Sequence, residues 1–133
     1  MGILENCRKP FSFVKTYNKL TEVLTDRKLA ALGDAYINFA YSLALSEKKG
    51  QPSGAKVKGA ILAKAFKKAG LRRQMPSRIT SHMLADAAEA LLAYAWLQKH
   101  ITLEESVTVL CKAEEVVGGF AQLLLMAKNK IML

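Results

Sequence analysis

The stretch Leu84–Leu97, LADAAEALLAYAWL, limits what this chain can fold into more than any other. It is rich in helix-forming Ala and Leu and apolar on every side of a helix, so it belongs at the centre of a helical protein with neighbours packed around it. Only two of its residues carry charge, Asp86 and Glu89. Positions three apart share a helix face, so both carboxylates project together from a segment otherwise suited to burial. A charged carboxylate is unfavourable to bury unless something positive meets it, which points to a metal ion, a basic side chain or the mouth of a cleft.

A second segment has the same character. From about Arg27 to Glu47 the chain reads as helix, and LAALGDAYINFAYSLAL is apolar nearly all round. Leu29, Leu32, Tyr36, Phe39, Ala40 and Leu43 form the principal stripe, while Ala30, Ile37 and Tyr41 widen it to a second side. The polar residues Asp34, Asn38 and Ser42 recur every fourth position and fall on one line. Gly33 in mid-helix costs ~1 kcal/mol relative to Ala, so another backbone is expected to pack closely there, beside Asp34.

The remainder is also helical in pattern, with no alternating β-branched run long enough for a strand. Phe13, Val14, Tyr17, Leu20 and Leu24 predict an amphipathic first helix after Pro10. A loop containing Gly50, Pro52, Ser53 and Gly54 precedes a third helix from about Ala55 to Ala69, stopped by Gly70. Pro76 and Ser77 open the fourth, with Ser77 as N-cap, and it runs to about Gln98. Thr102 and Glu105 form a capping box for a fifth, interrupted at Gly118 and Gly119, and Phe120 to Lys130 makes a sixth. The expectation is an all-α fold of about six helices in one domain over residues 1–133, since 51% hydrophobic and 23% charged residues suit one soluble globular core. Met75, Met83, Met126, Trp96, Tyr36, Tyr41 and Tyr94 read as packing residues.

The formal charge of +9 favours an anionic partner, nucleic acid foremost. Its distribution is more telling than its sum. Between Glu47 and Asp86 there is no acid, and Lys56, Lys58, Lys64, Lys67, Lys68, Arg72, Arg73 and Arg78 are the candidate phosphate-contacting residues. Lys64, Lys68 and Arg72 line up if the third helix extends that far. Cys7 and Cys111 lack metal spacing and read as reduced thiols. The N-terminus MGILENCRKP carries no secretory pattern, and no uncharged run approaches the ~20 residues of a membrane span. The expectation is a soluble, cytoplasmic protein without a membrane partner.

If the two buried helices pack together, Asp34 meets Asp86 and Glu89. Three carboxylates form an oxygen-only donor set suited to Mg²⁺ or Mn²⁺, and such an ion beside a basic surface suits phosphodiester hydrolysis. The ordinary alternative is acids on a solvated face or paired with lysine. His82, four residues before Asp86, also leaves open a mixed histidine–carboxylate site for zinc or iron. No Gly-rich phosphate loop is present, and neither Ser42 nor Ser106 has a nucleophile's context.

The motifs ALGDAYINFA (Ala31–Ala40) and LADAAEALLAYAWL resemble the two signature helices of the ribonuclease III endonuclease domain. Leu32, Gly33, Asp34 and Ala35 match the Leu-Gly-Asp-Ala of the first, and Asp86, Glu89, Ala90 and Leu91 match the Asp-x-x-Glu-Ala-Leu of the second. The resemblance spans roughly Leu20 to His100, including the intervening ILAKAFKKAGL. It implies an all-helical homodimer with its acids in a valley for double-stranded RNA, and metal-dependent hydrolysis leaving 5′-phosphate ends. Asp34 and Glu89 would be the principal metal ligands, assisted by Asp86. The family's first motif usually carries glutamates four and seven residues before the aspartate, where this chain has Ala30 and Arg27, and an aromatic residue where it has Ala31. The short Mini-III branch also lacks the upstream glutamate and an appended RNA-binding domain, and resembles this chain most closely. RNA would then be held by the segment Lys56 to Arg78, through shape and phosphates. The alternative is a non-catalytic RNA-binding or ribosome-associated protein that retains the fold.

Overall fold

The computed structural model describes residues 11–133; Cys7 and the N-terminal segment judged to lack a secretory pattern lie outside the described residues. The α-helices are α1 (Leu20–Leu24), α2 (Arg27–Lys49), α3 (Gly59–Lys68), α4 (Ser81–Leu97), α5 (Leu103–Lys112) and α6 (Val116–Lys130), with a 3₁₀ turn at Arg72–Gln74. No strand occurs among the described residues, and no helix is long and apolar enough to cross a membrane.

As its composition demands, α4 is the central element, packed by α1, α2, α3 and α6, while α5 rests on α2 and α6. Eleven of its seventeen residues are buried, from Leu84 to Leu97. The α2–α4 contact is the tightest in the fold. A Cβ added at Gly33 would lie 1.9 Å from the carbonyl oxygen of Glu89, so the two helices touch backbone to backbone, as the mid-helix glycine suggests. That approach rotates α2 relative to the expected stripe: Ala30, Gly33, Ile37, Ala40 and Ala44 face inward, while Leu32 and Phe39 are 40% and 56% exposed. Small residues win the buried face because only they allow so short an interaxial distance.

Other boundaries also move. The first helix is confined to Leu20–Leu24, because the Glu22 carboxylate accepts the N–H groups of Asn18 and Lys19 and starts the helix there. Val14 and Tyr17 still pack against the core from irregular chain, and Tyr17 meets Tyr94 edge to face. The fourth helix is capped by Thr80, whose hydroxyl accepts from Met83 N, not by Ser77. Ser77 is held in the preceding loop by Arg72, whose guanidinium donates to the carbonyls of Pro76 and Ser77 at 3.2 and 2.9 Å. Gly118 and Gly119 lie within α6. The break falls instead before Glu115, whose carboxylate accepts from the N–H groups of Val117 and Gly118. The Thr102–Glu105 capping box forms as expected.

The late start of α3 has a specific cause. Residues 52–58 run extended along α2, and alternate backbone groups bond its polar line. Ser46 Oγ accepts from Ser53 N, Ser42 Oγ accepts from Ala55 N and donates to Ala55 O, and Asn38 Oδ1 accepts from Val57 N. Two extended residues advance ~6.6 Å and four helical residues ~6 Å, so the periods stay in step. These side chains take the hydrogen bonds that a helix over 55–58 would need.

Gly33→Ala is expected to destabilise the fold by about 2 kcal/mol, because overpacking at a backbone contact outweighs the ~1 kcal/mol gained in helix propensity. A lowered denaturation midpoint checks this, and an unchanged or raised midpoint contradicts it.

Candidate functional site

Because Gly33 rests on Glu89, the next residue of α2, Asp34, is carried to the Glu89 side chain. The two carboxyl groups, more than fifty residues apart in sequence, lie within hydrogen-bonding reach of each other across the helix pair, and the Asp86 charge also acts on Glu89. Asp34 is exposed, whereas Asp86 and Glu89 are half-buried. Burial first, then the bond to Asp34 and the charges of Asp34 and Asp86, push the Glu89 carboxyl up to about 8. None of the ion pairs among the described residues, Lys15–Asp26, Lys68–Glu115 and Lys130–Glu105, involves these three acids. As oriented, no three His, Cys, Asp or Glu side chains among the described residues enclose an ion-sized space. Asp34 and Glu89 meet directly, and Asp86 stands one turn away on the same face.

The donor set nevertheless has the chemistry of a hard cation site. Its atoms are all carboxylate oxygens, none of them is ion-paired among the described residues, and Asp34 keeps an open side to solvent. Asn38 steadies this side from one turn below: its amide nitrogen lies 3.4 Å from Asp34 Oδ1 while its oxygen holds Val57 N. The polar line on α2 was visible in sequence; its partner, the extended segment, was not, since its bonds are made by backbone.

Arg27 and Ala30, the positions where the resemblance expects glutamates, separate. Ala30 is 3% exposed in the small cluster with Val23, Ala90 and Tyr94, so no charged group could be accommodated there without a partner. Arg27 is exposed and lines a cleft with Asp86 and His82. Met83, expected in the core, is 39% exposed at the same cleft.

The basic residues divide as well. Lys56 and Lys58 lie on the outward side of the extended segment, and Lys64 and Lys67 on the outward face of α3; all four are exposed, as are Arg73 and Arg78. Lys68 makes an exposed 3.8 Å pair with Glu115. Arg72 does not continue the Lys64–Lys68 row, because Gly70 turns the chain at φ 75° and the guanidinium is spent on the loop carbonyls. Beside Asp34, α2 also presents Ala31, Leu32, Ala35 and Phe39 to solvent.

In the unfolded chain Glu89 ionises near its ordinary 4.5, but in the metal-free fold only near 8. The fold therefore holds a proton that the unfolded chain releases, so the Glu89 contribution is present in full at low pH and falls away between about 4.5 and 8. Thermal denaturation in a chelator is expected to show a midpoint that drops between pH 5.5 and 8.5, and Glu89→Gln is expected to flatten that drop. An equal slope in both proteins contradicts this assignment.

None of the curated proteins compared with the chain matches it. A sequence profile described as Ribonuclease III matches residues 27–126, from the first residue of α2 into α6. The match covers most of the chain and both acid-bearing helices, so the chain belongs to the ribonuclease III family.

Proposed function

We propose that this protein is a metal-dependent endoribonuclease that hydrolyses phosphodiester bonds in double-stranded or structured RNA and leaves 5′-phosphate ends. One observation carries the reading: in a ribonuclease III family chain, Asp34 and Glu89 meet across the α2–α4 contact, and neither forms an ion pair among the described residues. Asp34, Glu89 and Asp86 would hold Mg²⁺ or Mn²⁺. When bound, the cation supplies charge neutralisation at the phosphodiester and activation of water. The chain's own part is placement. The helix contact fixes the spacing of Asp34 and Glu89, Asn38 orients Asp34, and Asp86 extends the acidic face along α4. Lys56, Lys58, Lys64, Lys67, Arg73 and Arg78 would bind phosphates, so recognition follows duplex shape and weakens with salt.

Asp34→Asn and Glu89→Gln are each expected to lower cleavage of duplex RNA by at least about a hundredfold, in line with loss of an electrostatic group at the reacting centre, without loss of helical signal in circular dichroism. Wild-type protein that cuts no duplex RNA with either metal at saturating protein would overturn the reading. The second reading, a non-catalytic RNA-binding protein, is favoured by one feature, the buried Ala30 in place of a fourth carboxylate. It requires metal-independent duplex binding that Asp34→Asn leaves intact, with no cleavage by the wild type.

We also infer a homodimer through the exposed Leu32 and Phe39 face of α2, since these residues lie two helical turns apart on one side and leave apolar surface uncovered. A two-fold axis there would set the acids of both copies along one valley. Sedimentation is expected to give a dimer for the wild type and a monomer for Phe39→Lys. A monomeric wild type rules the interface out.

A further inference from the structure

Beside the acids lies a cleft that phosphodiester cleavage by itself does not require. It holds about 280 Å³, between the start of α2 and the start of α4, and Asp86 forms part of its wall. Its apolar surface comes from Leu24, Met75 and Met83, and its basic side chains are Arg27 and His82. The volume sits just below the roughly 300–1,000 Å³ of ordinary small-molecule pockets. That is room for one planar ring system and too little for a peptide or a second helix. Thioether side chains adapt to flat aromatic rings and attract them through the polarizable sulfur. Met83 keeps 39% of its surface in solvent although it stands on the central helix. Neither Arg27 nor His82 takes part in an ion pair among the described residues. Arg27, at the first position of α2, lies on the side of that helix that carries Asp34 two turns on.

An apolar floor with the Arg27 guanidinium at its rim, sharing a wall with a candidate cleavage site, matches one occupant well: a nucleotide out of its stack, base inward and phosphate at the rim. We propose that this cleft receives a single unpaired nucleotide of the RNA, its base against Met75 and Met83 and its phosphate towards Arg27. The substrates selected are then duplexes interrupted by a bulged or mismatched nucleotide next to the bond that is cut. Extruding a paired base sacrifices stacking and pairing, whereas an unpaired base has little to lose, so the cleft discriminates between the two. A perfect A-form helix offers protein contacts mainly at phosphates and in its shallow groove, and leaves such a cleft empty. The proposal rests on the reading of the acids as a nuclease site.

The test uses two RNA duplexes of one sequence, one fully paired and one carrying a single unpaired 2-aminopurine. With Mg²⁺, wild-type protein is expected to cut the bulged duplex with about tenfold higher kcat/KM, the discrimination one well-filled pocket provides. The cut should fall beside the bulge. Met83→Trp fills the cleft from an exposed position, and Arg27→Gln removes the rim charge; each is expected to bring the ratio of the two rates close to one. A wild-type ratio near one, or a ratio unchanged in both variants, overturns the proposal. If neither duplex is cut, the nuclease reading has failed and metal-free binding decides the cleft. Tighter binding of the bulged duplex with a rise in 2-aminopurine fluorescence supports it, and equal affinities with unchanged fluorescence overturn it.

Discussion

The backbone contact between Gly33 and Glu89 is the constraint on which the rest of the structure depends. It brings the two longest helices together closely enough that no Cβ fits between their backbones at Gly33. From that single crossing follow the inward turn of Ala30, Ile37, Ala40 and Ala44, the outward turn of Leu32 and Phe39, and the meeting of Asp34 with Glu89. A glycine that weakens its own helix by ~1 kcal/mol is tolerated because the packing gained around α4 exceeds that loss.

The same crossing creates an electrostatic problem and leaves it unsolved within the chain. Glu89 is half-buried, faces Asp34 and Asp86, and takes part in no ion pair among the described residues, although lysines and arginines are plentiful in the chain. A fold under selection for stability alone would place one of those bases against the acids. Here the lysines stay outward on the extended segment and α3, Arg27 lines the cleft beside Asp86 without forming an ion pair among the described residues, and the acids stay together. Such separation of charge is expected where the field is meant for a ligand and not for the fold.

Much of this is legible in the residues because it is imposed by local chemistry. The apolar girth of Leu84–Leu97 requires a central helix, Gly33 requires a close neighbour, and the Thr102–Glu105 pair requires a helix start. What is not legible depends on partners remote in sequence. The direction in which α2 faces is one such feature: side-chain size argues for burying Leu32 and Phe39, while the short interhelical distance favours alanine. The helix expected over residues 13–24 and the early start at Ala55 fail for a related reason. In both places side-chain oxygens, those of Glu22 in one and of Ser42, Ser46 and Asn38 in the other, capture backbone groups before a helix can. The acids Asp34, Asp86 and Glu89 were recognisable from motif spacing, but the cleft lined by Arg27, His82 and Met83 exists only once α1, α2 and α4 are assembled.

The seam between α2 and residues 53–57 has a reading frame. Odd-numbered residues of the segment face the helix, and the even-numbered Lys56 and Lys58 face away. Loss or gain of one residue between Gly50 and Val57 would exchange the two sets, turning lysine inward and small residues outward. Changes of two residues would preserve the alternation and slide it by one helical turn. Length variation within this seam is therefore quantised in steps of two residues, the only steps that keep the lysines outward.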